Sequence, residues 1–366
     1  IFSSFNGLEP RLRFPSFDNK WTLTTIGNVC AFTNGKAHEQ NVVEYGEYII
    51  VNSKFISSDG VVKKYSNKQI CPLFKNDIVM VMSDVPNGKA MSKCFCIDKD
   101  NKYTLNQRIC ALRTKQIPLY YMMQINRNDY FMKFDDGVKQ TNLRKDDVLA
   151  CPVYSTTIKE QTKIADFLSL IDQRIEKQRR LVESLKKYKR GALSRVFNDV
   201  LETVKLSDIS NFISSARTLS TTLNGNKGIY PVYDAAGIAG YIDYYDIDSD
   251  YITIVKDGSG VGRLQKCDKK SSFIGTLGAL VAKNCTTDFL YAVLQTIDFS
   301  KFVTGMAIPH IYYRDYKSTL LPFPSEEKQH FISQLLKKFD IYIENETQKL
   351  TNMLAYKQGL LQQMFI

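Results

Sequence analysis

Glu160-Gln161-Thr162-Lys163-Ile164-Ala165-Asp166-Phe167-Leu168 opens an uninterrupted helix signal that runs to Phe197. Its positions Ile164, Leu168, Ile171, Ile175, Gln178, Val182, Leu185, Lys189, Ala192 and Val196 alternate by four and three residues. That is the 3.5-residue period of a coiled-coil seam. The stretch returns 168 residues later without a gap. Gln161, Asp172, Glu176, Tyr188, Gly191, Leu193 and Phe197 come back as Gln329, Asp340, Glu344, Tyr356, Gly359, Leu361 and Phe365. The second seam reads Ile332, Leu336, Phe339, Ile343, Glu346, Leu350, Met353, Lys357, Leu360 and Met364. Just upstream, Phe131-Met132-Lys133-Phe134-Asp135-Asp136-Gly137 returns as Phe299-Ser300-Lys301-Phe302-Val303-Thr304-Gly305. Solenoid units run to roughly 20–50 residues, so this longer period describes one molecule made of two similar halves.

Outward from the helices, residues 1–20 carry Pro10 and Pro15 and read as an extended arm. From Trp21 to about residue 155 short apolar runs (Tyr48–Val51, Asp77–Met82, Gln107–Leu112) alternate with turn clusters such as Ser57-Ser58-Asp59-Gly60 and Pro86-Asn87-Gly88. Residues 118–134 carry a helical pattern. After the first long helix, Val204-Lys205-Leu206-Ser207-Asp208-Ile209 weakly resembles Leu23 through Val29. Strands are expected at Tyr251–Lys256 and Phe273–Ala282, a helix at Thr287–Phe302, and a second long helix from Glu326. The expected domains are 1–155, a first helix 156–198, 199–325, and a second helix 326–366. A lone amphipathic helix of this length leaves its seam in water. Two in one chain can bury each other, and antiparallel pairing brings the polar midpoints Gln178 and Glu346 together, fixing register.

The formal charge of +11 and pI near 9.1 over 366 residues favour a polyanionic partner, nucleic acid ahead of a membrane surface. No apolar run approaches the ~20 residues of a membrane span, and no signal-peptide pattern opens the chain. The eight cysteines are scattered apart from Cys94-Phe95-Cys96, and the histidines are His38, His310 and His330. These spacings do not suit zinc, so free thiols in a cytoplasmic setting and no bound metal are expected. Gly258-Ser259-Gly260-Val261-Gly262-Arg263 lacks the Lys-Ser/Thr ending of a phosphate loop and reads as a hairpin tip. No amino-methyltransferase tetrapeptide, nuclease carboxylate–lysine cluster or serine-hydrolase elbow is present. No catalytic residue is expected.

What remains is recognition chemistry. The first long helix carries ten basic and five acidic residues from Glu160 to Phe197, and the second carries five of each. A basic stripe can track phosphates, and an ordinary solvated coiled-coil face looks the same. Loop residues of base-reading type lie beside expected strands. They are Lys54, Asn87, Lys89, Asn106, Gln107 and Arg108 in the first half, and Arg217, Asn226, Lys227, Lys256, Arg263 and His310 in the second. Arg and Lys suit guanine edges, while Asn and Gln suit adenine.

This arrangement resembles the DNA-specificity subunits of type I restriction–modification systems. Pro10-Arg11-Leu12-Arg13-Phe14-Pro15-Ser16-Phe17 with Trp21, the Glu160–Leu168 run with Asp172, and Tyr188-Lys189-Arg190-Gly191-Ala192-Leu193 carry the likeness, repeated from Glu327-Lys328-Gln329 to Phe365. The resemblance implies an α+β fold with two α/β target recognition domains separated by two long helices. These would form an antiparallel coiled coil with internal pseudo-twofold symmetry. It implies that each globule contacts one half of a split, asymmetric site on double-stranded DNA. Two methyltransferase subunits would bind S-adenosylmethionine, and restriction subunits would use ATP and Mg2+, with no cofactor on this chain. About 38 helical residues at 1.5 Å span roughly 57 Å, an outer limit of about 17 base pairs; half-site centres should lie about one duplex turn apart. Glu160 becomes Lys328 and Ala165 becomes Ser333 in the second repeat, so the two partner-docking surfaces are expected to differ. The competing reading is a non-DNA scaffold holding two protein partners on a coiled-coil ruler.

Overall fold

The protein is seen here in a computed structural model, which describes residues 9–84, 90–126, 129–135, 140–214, 223, 228–258, 260–305 and 308–365. It divides into two compact units, Ile1–Lys177 with Leu350–Ile366, and Gln178–Lys349. The division cuts through both long helices, Ile158–Asn198 and Glu326–Phe365. Burial explains why. Ile164, Ala165 and Leu168 share the first unit's core with Met364 and Phe365. Leu193 and Phe197 share the second unit's core with Ile332 and Leu336. Each helix thus begins in one core and ends in the other.

In the first unit, strands Ala31–Asn34, Ile109–Arg113, Ile78–Val81 and Cys94–Cys96 pair in that order as an antiparallel sheet. Side chains alternate faces along a strand, and both faces are apolar. Ile78, Met80, Cys110 and Leu112 pack toward the helices, whereas Val79, Val81, Ile109 and Ala111 pack toward a second sheet. That sheet joins Val42–Val43, Tyr65–Ser66, Tyr48–Val51 and Tyr103–Leu105, the last pair running parallel. Thr22–Thr25 pairs with Pro152–Ser155 and leads the chain into the first long helix.

The second unit repeats this plan. Ser210–Ile213, Leu277–Ala282, Tyr251–Val255 and Leu264–Cys267 form the four-stranded sheet in the corresponding order. Gly237–Ile242, Tyr230–Asp234 and Ser272–Phe273 form its companion, and Thr203–Lys205 pairs with Leu320–Pro322. Ile109 and Leu277, which open matching strands, are 168 residues apart, as are Pro152 and Leu320. The offset grows toward the start of each half: Ile26 and Leu206 open matching one-turn helices and are 180 apart. The weak sequence match around Val204 marks this real correspondence, displaced by length changes in the loops between.

The helix expected over 118–134 is two, Pro118–Ile125 and Asp129–Met132. The chain turns out at Asn126, whose side chain accepts from Cys94 N at 2.9 Å. The helix expected over 287–302 ends at Leu294, and a separate turn Phe299–Phe302 begins where Asp298 accepts from Ser300 N. The strand expected over 273–282 is interrupted between Phe273 and Leu277. Ile109, not Gln107, opens its strand, because residues 106–108 form the preceding turn.

Every seam residue of the long helices is buried or half-buried. In the second unit Gln178 Nε2 donates to the Glu346 carbonyl at 2.9 Å and to its carboxylate at 2.6 Å. Lys189 pairs with Asp340 at 2.6 Å there, so numbers rise along one helix as they fall along the other. In the first unit Lys357 pairs with Asp172. The two ion pairs are each other's repeat counterparts. The differences at 160 and 165 fall mostly on buried positions. Glu160 and Ala165 are buried, as is Ser333, whose hydroxyl donates to the Gln329 carbonyl, and Lys328 is half-buried. Glu160 receives Arg13, Trp21 and Thr156, which ties the N-terminal arm to the helix start.

Candidate nucleic-acid interface

Three chain reversals meet at one edge of the first unit's sheets. Lys36 N donates to Leu105 O at 3.1 Å, Asn106 N to Val51 O at 3.1 Å, and Met82 N to Arg108 O at 2.9 Å. This brings Asn106, Gln107 and Arg108 together beside the helix Ser53–Ser57, which carries exposed Lys54. That helix is held by its Asn52 cap, which accepts from Phe55 N. Gln107 donates to Glu39, and Arg108 adopts φ 66°, a left-handed turn conformation. Gly35 makes the crossing possible, since a Cβ there would sit 1.8 Å from the Asn106 carbonyl oxygen. Asn87 and Lys89 lie outside the described residues.

The second unit builds the corresponding edge. Lys256 N donates to Thr276 O at 3.0 Å, Ile311 N to Lys256 O at 2.9 Å, and Gly258 N to Pro309 O at 2.9 Å. His310 forms backbone bridges with Asp257 and Thr304. Lys256 reaches Ser214 O, and Arg263 reaches Ala235 O. The three glycines Gly258, Gly260 and Gly262 have φ of 91°, 93° and 85°; they turn the chain between antiparallel strands, as a hairpin tip does. Lys256, Arg263 and His310 therefore come together. Arg217, Asn226 and Lys227 lie outside the described residues.

The two edges share two backbone hydrogen bonds. Met82 N to Arg108 O matches Lys256 N to Thr276 O, and Leu143 N to Met82 O matches Ile311 N to Lys256 O. Asn142, paired with Ser83, then occupies the place of His310, 168 residues on. Asn142 is exposed and was not among the candidates read from the sequence. Counting the repeat back from His310 would have found it.

The shifted carboxylates near the long helices have structural causes. Burial pushes Glu160 up, but hydrogen bonds from Arg13 and Thr156 and the Arg13 charge outweigh it and hold the group below its usual range. Hydrogen bonds from Lys349 and Gln178 hold Glu346 down. Among the described residues no group of three or more His, Cys, Asp or Glu is placed to hold a metal ion. What the edges offer is a mixed set of donors and acceptors on a hydrogen-bonded backbone, with lysines and arginines beside them. Lys177, Arg180, Lys186, Lys187 and Arg190 are exposed along the first long helix. Such groups suit phosphates and base edges.

Comparison with known proteins agrees with this layout. The family model for the type I restriction modification DNA specificity domain matches twice, at residues 18–186 and 198–354. A putative type I specificity subunit of Mycoplasma pneumoniae is 29% identical over 151 residues, covering 39% of this chain and 49% of that protein. The specificity subunit of the Escherichia coli type I restriction enzyme EcoprrI is 27% identical over 115 residues, 31% of this chain and 28% of its own. The chain thus spans about half or less of the length of these curated relatives. The crystal structure of a type I restriction–modification S subunit from M. genitalium shares the fold, with TM-score 0.60 at 19% identity over 98% of this chain and 99% of that one.

Proposed function

We propose, for a chain that belongs to the family of type I restriction modification DNA specificity domains, that it recognises a bipartite, asymmetric duplex site, one half-site per unit. The observation that carries this reading is the matched pair of edges, in which one backbone frame presents different side chains. A shared frame with divergent groups is what two related readers of different sequences need. The paired long helices act in this reading as an antiparallel coiled-coil spacer that sets the gap, with their basic residues facing phosphates. The chain itself performs no chemistry. Two methyltransferase subunits carry S-adenosylmethionine, and restriction subunits bring ATP and Mg2+. The complex works on cytoplasmic DNA, and no helix among the described residues is long and apolar enough to cross a membrane.

Single-molecule methylome sequencing of the host, with and without this gene, tests the reading. The expected result is a methylated bipartite motif with a fixed gap that disappears with the gene. An unchanged methylome, together with no salt-dependent duplex binding by the purified complex, would refute it.

A further inference from the structure

The side chain of His310 is held more tightly than a surface residue needs to be. Its backbone exchanges two hydrogen bonds with Thr304, at 2.9 and 2.8 Å. Its ring lies against Gly305, where φ is 90° and a Cβ would fall 2.8 Å from Nδ1 and 2.9 Å from Cε1. Tyr312 packs edge-on at 5.0 Å, and Arg314 lies over the Tyr312 ring at 4.7 Å. Nδ1 sits 3.2 Å from the Ile308 carbonyl oxygen. A carbonyl can only accept, so Nδ1 carries a proton, and in that tautomer Nε2 is the acceptor. No described residue donates to Nε2. Among the described residues the imidazole is held at Nδ1 and its outer nitrogen has no partner.

Asn142 stands on the same frame in the first unit. Its amide nitrogen contacts the Gln140 carbonyl oxygen at 3.4 Å, and Asn142 is exposed with no partner for Oδ1 among the described residues. We infer that His310 and Asn142 are base-reading residues at equivalent positions of the two units. This inference rests on the proposed DNA-recognition function. His310 Nε2 accepts from the exocyclic amine of adenine or cytosine in the major groove, and Asn142 makes the two-bond contact that suits adenine. In the second unit the glycine that ends the Phe-x-Lys-Phe-x-x-Gly segment, Gly305, lies against the imidazole.

The test uses the complex purified from the host and duplexes carrying its methylated motif. At each adenine or cytosine of the motif, the amine is removed in turn by a base analogue. Wild type should lose about ten- to a hundred-fold in affinity at one position of one half-site. His310→Phe, which keeps a ring against Gly305 and Tyr312, should show the same loss on the natural duplex and no further loss on that analogue. Asn142→Leu should behave likewise at an adenine of the other half-site. Thermal unfolding and affinity for the untouched half-site check that each variant is folded. Equal weakening on all duplexes, unchanged affinity, or retained sensitivity to every amine removal would overturn the inference. A wild-type complex with no preference for the motif over scrambled duplex would instead count against the proposed function.

Discussion

Glu160→Ala should unfold the first unit far more than its exposed neighbours suggest. The Glu160 side chain is fully buried and Arg13 is 13% exposed. The carboxylate takes Arg13 at 2.7 and 2.9 Å, Trp21 Nε1 at 3.1 Å and Thr156 at 2.5 Å. Removing it leaves an indole N–H unpaired and a part-buried guanidinium with only the Asn19 carbonyl, a loss of up to about 3–5 kcal/mol for a broken buried pair. Trp21 is the chain's one tryptophan. It packs against Tyr120, Tyr154 and Phe365, so its fluorescence reports on this unit alone. In urea the Trp21 transition should move to lower concentration by that free energy at unchanged slope. Lys328→Ala, at the repeat counterpart, should stay within about 0.5 kcal/mol. The effect has a pH signature. Because the folded group is held below its usual range, its stabilisation is present above the unfolded carboxylate value near ~4.3 and is lost as pH falls through the lower folded value. Wild type and variant should therefore converge in acid. A shift below about 1 kcal/mol at neutral pH, or one matched by Lys328→Ala, would refute the assignment of Glu160 as the anchor of the arm.

Two further outcomes follow from contacts already described. Gln178→Glu sets a second carboxylate against Glu346, so the thermal midpoint should fall at neutral pH and recover as acid protonates the pair; a deficit independent of pH would contradict this. Gly35→Ala drives a Cβ into the Asn106 carbonyl, a backbone clash that no rotamer relieves. It should cost about 2–4 kcal/mol and speed hydrogen exchange at the 106–108 turn, whereas unchanged exchange there would show that the crossing is not held as described.

The long helices were readable because a seam is a local pattern, and every seam position is buried or half-buried. Their polar centre was readable for the same reason, since a break in an apolar period stands out at Gln178 and Glu346. The ends of shorter helices were not. The apolar pattern runs on past Asn126, and the turn there depends on a hydrogen bond to Cys94, 32 residues away. The candidate edges were partly readable. Lys256, Arg263 and His310 were picked by residue type and do converge, while Asn142 depends on pairing with Ser83, a long-range contact that no window reveals. The substitution of Glu160 by Lys328 was visible, but its meaning was not, because residue identity does not tell burial.

Gln178 meets the residue 168 positions further on, which is its own copy in the repeat. Two identical chains meeting at that place could only set glutamine on glutamine or glutamate on glutamate. Joining the copies in one polypeptide frees them to differ, and this pair does: one side donates and the other accepts, with Lys349 balancing the charge at 2.7 Å. Duplication followed by fusion thus permits a complementary contact that a homodimer cannot encode. The same permission lets the side chains on the two matched edges differ, as Asn142 and His310 do.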